Sequence, residues 1–374
     1  MSGIYIHIPF CKVKCSYCDF YKTTNNSKIN ELVEAIKLEL ELRKDYLSDQ
    51  NIQTIYFGGG TPSLLSADQL QGILQACFSV FHVEHDVEIT MEANPDDLNL
   101  TYLQSVIKIG VNRLSIGVQS FSQTDLKLMK RRHNPIQAKN AVKYAREAGF
   151  ENISVDLIYG VPNMPFSQWL DNLEQVIAMN ADHISAYHLT YHKGTQLWND
   201  LQKGIVHEID ESDSIRQFNA LVKSTEENGF IHYEISNFAK EGYFSRHNSA
   251  YWNQTEYLGL GPSAHSYNIS SRQWNVASLT HYLLALEHKK IPYEIEELSA
   301  KDRFNDYIIT SLRTQSGINL ERVSNEFGSD CLAHIVKVGQ KYSASSQILI
   351  DDHSIRLAKE GWFISDHIMT DFMM

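Results

Sequence analysis

Three cysteines close to the amino terminus, Cys11, Cys15 and Cys18, are spaced like the ligands of a metal cluster. They follow an apolar stretch, residues 4–10, that predicts a β-strand. Three thiolates on one short loop can ligate three irons of a [4Fe–4S] cube and leave the fourth iron open to a substrate or cofactor. Zinc is the alternative, but it needs a fourth Cys or His at close spacing, and His7 lies too near the predicted strand. The spacing therefore favours the cluster.

A glycine-rich segment, Gly58-Gly59-Gly60-Thr61-Pro62, follows the second predicted strand. It matches neither the dinucleotide-binding fingerprint G-x-G-x-x-G nor a P-loop. A tight turn that uses glycine for backbone reasons alone is one explanation. Because the segment accompanies a cysteine cluster, we favour a second one, in which its exposed N–H and C=O groups bind a small zwitterion.

Six β-rich segments alternate with helical patterns: residues 3–8, 53–57, 87–92, 113–118, 153–158 and 183–189. Such alternation predicts parallel strands joined by right-handed crossovers, in an α/β barrel or an open doubly wound sheet. Nearly every one of these strands ends in polar or glycine-rich residues, as barrel strands of enzymes do at their carboxyl ends. We therefore expect a partial barrel.

The composition predicts a folded cytoplasmic protein without a disulfide framework. With 374 residues, 43% of them hydrophobic, the chain can form one large domain and a smaller one. A formal net charge of −12 argues against a broad nucleic-acid surface. Cys77 and Cys331 are expected to be small buried apolar residues. The start Met-Ser-Gly lacks a leader pattern and no apolar run approaches a membrane span, so we expect the cytoplasm.

Six motifs occur in a fixed order along almost the whole chain. They are Tyr5-x-His7-Ile8-Pro9-Phe10-Cys11-x3-Cys15-x-Tyr17-Cys18, Gly58-Gly59-Gly60-Thr61-Pro62, Glu92-Ala93-Asn94-Pro95, Gly117-Val118-Gln119-Ser120-Phe121, Asp156-Leu157-Ile158-Tyr159-Gly160 and Gly259-Leu260-Gly261. Together they resemble the radical S-adenosylmethionine superfamily, and specifically its coproporphyrinogen-oxidase-like branch. The resemblance implies a partial (β/α)6 barrel in which the amino and carboxylate groups of S-adenosylmethionine chelate the open iron.

The resemblance also implies the residues that bind this cofactor. Tyr5 and Tyr17 would flank it, and its methionine part would meet the backbone of Gly59, Gly60 and Thr61. Its polar groups would be contacted by Glu92, Gln119, Arg131 and Asp156. An arginine can fork onto a carboxylate, and the two acidic residues can accept ammonium or ribose hydroxyl donors. The alternative for Glu92 and Asp156 is a role as strand-end caps. No catalytic residue is assigned.

Two departures separate the chain from the oxygen-independent coproporphyrinogen oxidases. Those enzymes carry a further cysteine two places after the third, where this chain has Phe20, and an amino-terminal extension before the cluster strand. Residues 247–252 instead read HNxxYW, which resembles the signature of a haem-chaperone branch of the family. In that branch His247 would be an axial haem ligand, and Tyr251 and Trp252 would offer flat apolar area to the porphyrin. His265 is a competing ligand, and a packed, hydrogen-bonded histidine is the simpler alternative.

A small helical module is expected beyond about residue 300. Phe304, Tyr307, Ile308 and Leu312 have helical spacing, and residues 348–350 and 355–357 predict a hairpin. The module resembles the family's winged-helix-like C-terminal domain, but 12 acidic against 8 basic residues from Glu296 onward argue against DNA binding. A lid or a partner-docking surface is more plausible. The predicted division is a barrel over residues 1–235, a connecting segment with HNxxYW over 236–300 and the module over 301–374.

Together with these observations, the resemblance implies a haem chaperone of the radical S-adenosylmethionine type. It would bind a [4Fe–4S] cluster, S-adenosylmethionine and haem, and deliver haem to client haemoproteins, which the resemblance suggests are respiratory enzymes. Transient association with membrane proteins is compatible with this role. The alternative is an oxygen-independent coproporphyrinogen III oxidase. A radical methyltransferase is disfavoured because the chain has neither a second catalytic cysteine motif nor a basic face.

Overall fold

The structure, a computed structural model, describes residues 2–374. These residues form fifteen β-strands, namely β1 (Ser2–Ile8), β2 (Asn51–Gly59), β3 (His82–Ala93), β4 (Arg113–Gln119), β5 (Asn152–Tyr159), β6 (His183–His188), β7 (Ile231–Glu234), β8 (Asn237–Ala239), β9 (Tyr257–Leu260), β10 (His265–Tyr267), β11 (Ser271–Asn275), β12 (Tyr293–Glu297), β13 (Ile318–Asn319), β14 (Ile348–Ile350) and β15 (Ser354–Leu357).

The same residues form fifteen α-helices. They are α1 (Ile29–Leu42), α2 (Ala67–Val80), α3 (Leu100–Lys108), α4 (Gln123–Leu128), α5 (Pro135–Ala148), α6 (Phe166–Ala178), α7 (Gln196–Gln202), α8 (Glu211–Glu227), α9 (Arg246–Trp252), α10 (Leu279–Glu287), α11 (Ala300–Leu312), α12 (Leu320–Phe327), α13 (Ser329–Ser343), α14 (Lys359–Trp362) and α15 (Ser365–Phe372).

Strands β1 to β6 lie side by side in chain order and pair in parallel. Helices connect successive strands, so the predicted partial (β/α)6 barrel is confirmed. Local sequence explains where a helix begins: Ser66 precedes α2 with a capping box, in which its hydroxyl accepts the N–H of Gln69. Within residues 2–374, every helix is too short or too polar to serve as a membrane span.

The barrel sheet continues beyond its six parallel strands on both edges. On one edge β9 pairs in parallel with β1 and is followed by β10, β11 and β12. On the other edge β8 and β7 follow β6. The predicted connecting segment, residues 236–300, thus contains five strands of the same twelve-stranded sheet.

Alternation along the parallel strands separates an apolar face from a polar one. Ile4, Ile6 and Ile8 of β1 are fully buried in the hydrophobic core, whereas Tyr5 and His7 point to the opposite face. On β3 to β6 this opposite face is also largely polar, and several of its residues line one cavity: Glu92, Arg113, Ser115, Gln119, Asp156 and Ser185. The concave side of the barrel therefore offers polar side chains to a ligand.

A buried network around Glu39 of α1 fixes the strands that extend the barrel. The Glu39 carboxylate pairs with Arg43 at 3.3 Å and accepts hydrogen bonds from the N–H of Gly261 (2.8 Å), the hydroxyl of Tyr282 (2.7 Å) and the amide of Asn275 (2.7 Å). Every partner of this buried charge donates a hydrogen bond to it, which offsets its desolvation. The network positions the Gly259-Leu260-Gly261 motif beside β1.

The C-terminal module consists of α11 to α15 and a three-stranded sheet in the order β13-β15-β14. The predicted hairpin is confirmed as β14 and β15. Cys77 is fully buried in α2, as expected. The same expectation is wrong for Cys331, because this residue lies on the surface of α13 and is only partly buried.

Candidate functional site

A cavity of about 580 Å³ opens at the carboxyl ends of the parallel strands. Eleven of the thirteen residues proposed from the sequence line it: Cys11, Cys15, Cys18, Tyr17, Gly59, Gly60, Thr61, Glu92, Gln119, Arg131 and Asp156. Two proposed residues, Tyr5 and His247, do not line it. The fold thus brings together residues that are up to 145 positions apart in the sequence, from Cys11 to Asp156.

The cysteine loop is tied to its surroundings by backbone hydrogen bonds. The N–H of Cys11 donates to the carbonyl of Thr23 at 2.9 Å, and the N–H of Thr23 donates to that of Pro9 at 2.7 Å. Midway along the loop, Ser16 donates its N–H to the carbonyl of Met129 at 3.1 Å and its hydroxyl to that of Leu128 at 2.8 Å. These bonds anchor the loop to the end of α4, so the three thiols share one opening.

Donors surround the thiols in a way that suits cluster ligands. The Thr61 hydroxyl donates to Cys11 Sγ at 3.4 Å, and the Arg131 guanidinium donates to Cys15 Sγ at 3.5 Å. Burial raises the pKa of the Cys11 and Cys18 thiols, while Thr61 and the Lys22 ammonium oppose this rise. Metal ligation requires thiolates, which such donors stabilise. Within residues 2–374 no three His, Cys, Asp or Glu side chains are grouped to hold a single metal ion; a cube differs because its ligands bind separate irons.

Two of the three glycines, Gly59 and Gly60, are required by close packing against the residues that lead into the cysteine loop. A Cβ at Gly60 would lie 2.8 Å from the Ile8 carbonyl oxygen and 2.7 Å from that of Phe10. Gly59 has a φ of +104°, and a Cβ there would lie 2.6 Å from the His7 ring. The glycines therefore let the segment after β2 lie directly against the loop that carries the cysteines.

Two partly buried carboxyls, those of Glu92 and Asp156, face the cavity. Glu92 accepts hydrogen bonds from the Tyr56 hydroxyl (2.9 Å) and the Gly59 N–H (3.1 Å), and burial raises its pKa to about 7. Asp156 accepts the Ser115 hydroxyl at 3.0 Å, and burial raises its pKa as well. Because both groups are costly to ionise without a cationic partner, the site favours a ligand that carries positive charge.

Arg131 connects the polar side of the cavity to the cysteine loop. Besides Cys15, its guanidinium donates to the side-chain carbonyl of Asn94 and to the Gly117 carbonyl at 2.6 Å, while its buried Nε has no partner. Gln119 ends β4 with a φ of +68°. Burial raises the pKa of Tyr17 despite the opposing charge of Arg131. These residues line one wall beside the thiols.

Tyr5 and His247 pack behind this wall. The Tyr5 hydroxyl bonds to His7 Nδ1 at 3.2 Å, and its ring stacks on Tyr56 with 6.1 Å between centroids. The His247 ring stacks on Tyr56 at 4.9 Å, and burial lowers its pKa to about 3. The two ring nitrogens bond to the hydroxyls of Thr54 (2.8 Å) and Tyr251 (2.9 Å). In this conformation neither nitrogen is free for a metal.

The HNxxYW motif forms helix α9 at the amino-terminal end of the barrel. His247 lies beside Gly3 and Thr54, which pair with each other four residues before His7 and Gly58, or roughly 13 Å along the strands. Asn248 reaches the cavity, whereas Tyr251 packs on Tyr257 and Trp252 lies under Arg313. The competing histidine, His265, is exposed in β10 and stacks on Trp274.

Sequence reasoning missed several residues of the cavity. They are chiefly Asn94, Arg113, Ser115, Ser185, Tyr187 and Asn248. Strand periodicity could have found part of this set, because Arg113, Ser115, Gly117 and Gln119 occupy alternate positions of β4 and therefore share one face. No strand periodicity pointed to Asn248, because this residue belongs to α9, a helix that lies outside the predicted six-strand pattern.

Known proteins resemble this chain over its whole length. A family model described as the Radical SAM superfamily matches residues 5–176. A protein of Bacillus subtilis (strain 168) named Heme chaperone HemW is 31% identical over 376 residues, covering 100% of this chain and 99% of that protein. The Escherichia coli (strain K12) protein of the same name is 36% identical over 265 residues, 70% of this chain and 69% of that protein.

A solved structure supports the same fold. The coproporphyrinogen III oxidase HemN from Escherichia coli has a TM-score of 0.85 and 21% sequence identity, covering 100% of this chain and 90% of that chain. At this identity the likeness concerns the fold alone. The full-length relatives carry the assignment: the chain belongs to the HemW family of the radical SAM superfamily.

Proposed function

We propose that this protein is a cytoplasmic haem chaperone that binds a [4Fe–4S] cluster, S-adenosylmethionine and haem, and passes haem to client apo-haemoproteins. The observation that carries the proposal is the 31% identity to a named haem chaperone across the entire chain. That match includes the HNxxYW helix and the C-terminal module. A reducing compartment suits the five cysteines, all of which are unpaired thiols.

The cavity supports the first two cofactors. Cys11, Cys15 and Cys18 would hold three irons, and an open fourth iron supplies a coordination site for S-adenosylmethionine. Glu92 and Asp156 can accept hydrogen bonds from cationic or hydroxyl groups of that cofactor, and Arg131 can donate to its carboxylate. Gln119, Tyr17 and the backbone of residues 59–61 would complete its surroundings, and Tyr5 would support them through Tyr56.

The rim of the cavity supports haem binding. Val13, Phe20 and Tyr187 line the opening and are 43%, 64% and 45% exposed. Apolar and aromatic side chains left exposed around one opening offer contact area to a flat apolar ligand. Phe20 occupies the position at which the oxidases carry their additional cysteine. The rim thus favours binding a porphyrin over modifying one.

His247 remains our candidate for the axial haem ligand, but a hydrogen bond to its imidazole must break before it can bind iron. Its two nitrogens are bonded to Thr54 and Tyr251, so ligation needs one of these bonds to break. Burial keeps the imidazole neutral by lowering its pKa, and the neutral form is the one that ligates metals. Haem ligation through His247 would therefore be coupled to a movement of α9.

The test is a haem titration of the anaerobically reconstituted protein beside a turnover assay. Reconstitution should yield about four irons and four sulfides per chain, and Cys15→Ala should not retain them. Haem should bind at about one per chain and pass to an apo-haemoprotein. Conversion of coproporphyrinogen III to protoporphyrinogen IX at ordinary enzyme rates, above roughly one turnover per second, would establish the oxidase alternative instead.

A further inference from the structure

Arg113, the first residue of β4, is a buried cation that forms no ion pair with any residue of the described range 2–374. Its side chain is 2% exposed and lines the cavity. Its Nε has no hydrogen-bond partner, and its guanidinium makes no hydrogen bond or ion pair with any residue of the described range 2–374. Five N–H donors of a group that remains charged in proteins are thus left unmatched.

The other buried arginine of residues 2–374 shows how this fold otherwise treats such a group. Arg43 pairs with Glu39 and donates to the Gly259 carbonyl at 3.1 Å and to the Gln273 side chain at 2.9 Å. An uncompensated buried charge is unfavourable because nothing replaces its lost hydration. Packing does not explain why an arginine occupies position 113, since a neutral side chain would fill the same space without that penalty. An anionic ligand that pairs with the guanidinium would explain it.

The surroundings of Arg113 are suited to a carboxylate. Asp156 lies close enough to interact with its charge, but it forms no ion pair with Arg113 and accepts the Ser115 hydroxyl instead. Two further residues that line the cavity, Ser236 and Asn248, have side chains without a hydrogen-bond partner among residues 2–374. An unpaired guanidinium fork can bind a carboxylate through two parallel hydrogen bonds, and neutral donors in the same cavity can add to them.

The position of Arg113 separates it from the cysteine loop. Arg113 begins β4, whereas Gln119 ends that strand beside Arg131 and the thiols. A ligand group that meets Arg113 therefore lies at the inner end of the cavity. Three further hydrogen-bonding side chains line the same cavity, Ser185, Ser236 and Asn248, and they come from β6, the turn before β8 and α9.

We propose that Arg113 forms a carboxylate subsite at the inner end of the cavity and that it binds a propionate of haem. The identity of this carboxylate rests on the proposed function, while the subsite itself rests on the buried, unpaired guanidinium. S-adenosylmethionine also carries a carboxylate, so the experiment must distinguish the two sources. Haem dimethyl ester provides the means, because its propionates are neutral and its ring is unchanged.

The experiment compares four forms of the full-length, anaerobically reconstituted protein: wild type, Arg113→Gln, Arg113→Lys and Arg216→Gln. Each is titrated with haem, haem dimethyl ester and S-adenosylmethionine. The wild type should prefer haem over the diester by about tenfold, the value expected for one charge-assisted pair. Arg113→Gln should lose this preference while its diester affinity stays unchanged. Arg113→Lys should restore part of it.

Arg216→Gln is the matched control. It removes the same charge from an exposed arginine of α8 that lies over the Phe166 ring, away from the cavity. It should behave as the wild type. Because the preference is a ratio measured within each protein, a variant that is only less stable loses affinity for both haem forms equally and keeps the ratio.

Four outcomes would overturn the inference. A wild type that binds haem and its diester equally refutes the subsite and leaves the proposed function standing, whereas a wild type that binds no haem refutes both. An undiminished preference in Arg113→Gln shows that another group recognises the propionates. Weaker S-adenosylmethionine binding with an unchanged haem preference in Arg113→Gln assigns the carboxylate to the cofactor.

Discussion

Glu92 is a cavity residue whose charge state changes near neutral pH. Burial between β2 and β4 raises its pKa to about 7, although Tyr56 and the Gly59 N–H donate hydrogen bonds to it. A buried carboxyl with a raised pKa binds its proton more tightly in the folded protein than in the unfolded chain. Glu92 therefore adds most to stability where it is protonated in both states, below its ordinary pKa of about 4.5.

We predict that Glu92→Gln makes the ligand-free protein relatively more stable as the pH rises. Ionisation of Glu92 removes stability between pH 4.5 and about 7, by at most roughly 3 kcal/mol at about 1.4 kcal/mol per pKa unit. Urea unfolding at pH 5, 6, 7 and 8 measures the difference between variant and wild type. This difference should increase up to pH 7 and then level off.

Glu234→Gln serves as the matched control for this pH dependence. Burial also raises the pKa of Glu234 to about 7, but this residue belongs to β7 and does not line the cavity. Each single variant should remove its own part of the pH dependence, and the double variant should remove both. S-adenosylmethionine should suppress the effect of Glu92 alone. A pH-independent difference between Glu92→Gln and wild type would contradict the assigned shift.

At the scale of elements, the segment after β2 and the cysteine loop form one packed unit. We predict that Gly60→Ala lowers the amount of cluster formed on reconstitution, because its Cβ would press on the carbonyls of Ile8 and Phe10 just before Cys11. Gly72→Ala is the control. Gly72 lies in α2, and a Cβ added there would meet no atom within 4 Å, so alanine should stabilise the helix by about 0.5–1 kcal/mol.

Iron and sulfide analysis of the two glycine variants measures the effect. Full cluster content in Gly60→Ala would show that the loop adapts to the added methyl group. An equal loss in Gly72→Ala would show that the assay reports general instability. The comparison isolates the contact between the two segments, since both variants add the same single methyl group.

The strands that carry the site were largely predictable from the sequence. Strands β1 to β6 are apolar runs followed by polar or glycine-rich turns, so pattern alone located them, and the order of the motifs placed their carboxyl ends together. Strands β9 to β12 were not predicted. Their three to five residues carry no strong alternation. The pairing of β9 with β1 also depends on distant partners such as Glu39, which is buried although a helical glutamate is usually exposed to solvent.

At the scale of the whole molecule, α9 connects the barrel to the C-terminal module. Its His247 packs on Thr54 and Tyr56 of β2, while the ring of its Trp252 faces the Arg313 guanidinium at 5.9 Å. Residues 311–317 continue the contact, because the Ile235 N–H donates to the Arg313 carbonyl at 2.9 Å and the Gln315 N–H to that of Tyr233 at 3.0 Å. A movement of α9 would therefore change the barrel and the module together.

We predict that haem binding moves α9 if His247 is the axial ligand. Ligation through Nε2 would break the bond to the Tyr251 hydroxyl, and the ring would leave its stack on Tyr56. Amide hydrogen exchange in residues 246–252 and 311–317 should then increase on haem binding, because both segments lose contacts. His247→Ala should shift the Soret band of the haem complex and slow transfer to an apo-haemoprotein.

Tyr251→Phe separates ligation by His247 from a purely structural role. This variant keeps the ring on Tyr257 but removes the hydroxyl that holds Nε2. If Nε2 binds iron, losing a competing hydrogen bond worth about 1 kcal/mol should raise haem affinity about fivefold, whereas His247→Ala should lower it. If His247 only supports the packing of the barrel, both variants should lower the free energy of unfolding, and neither should shift the Soret band of the haem complex. Opposite changes in affinity with a shifted Soret band in His247→Ala can arise only when the imidazole itself reaches the iron.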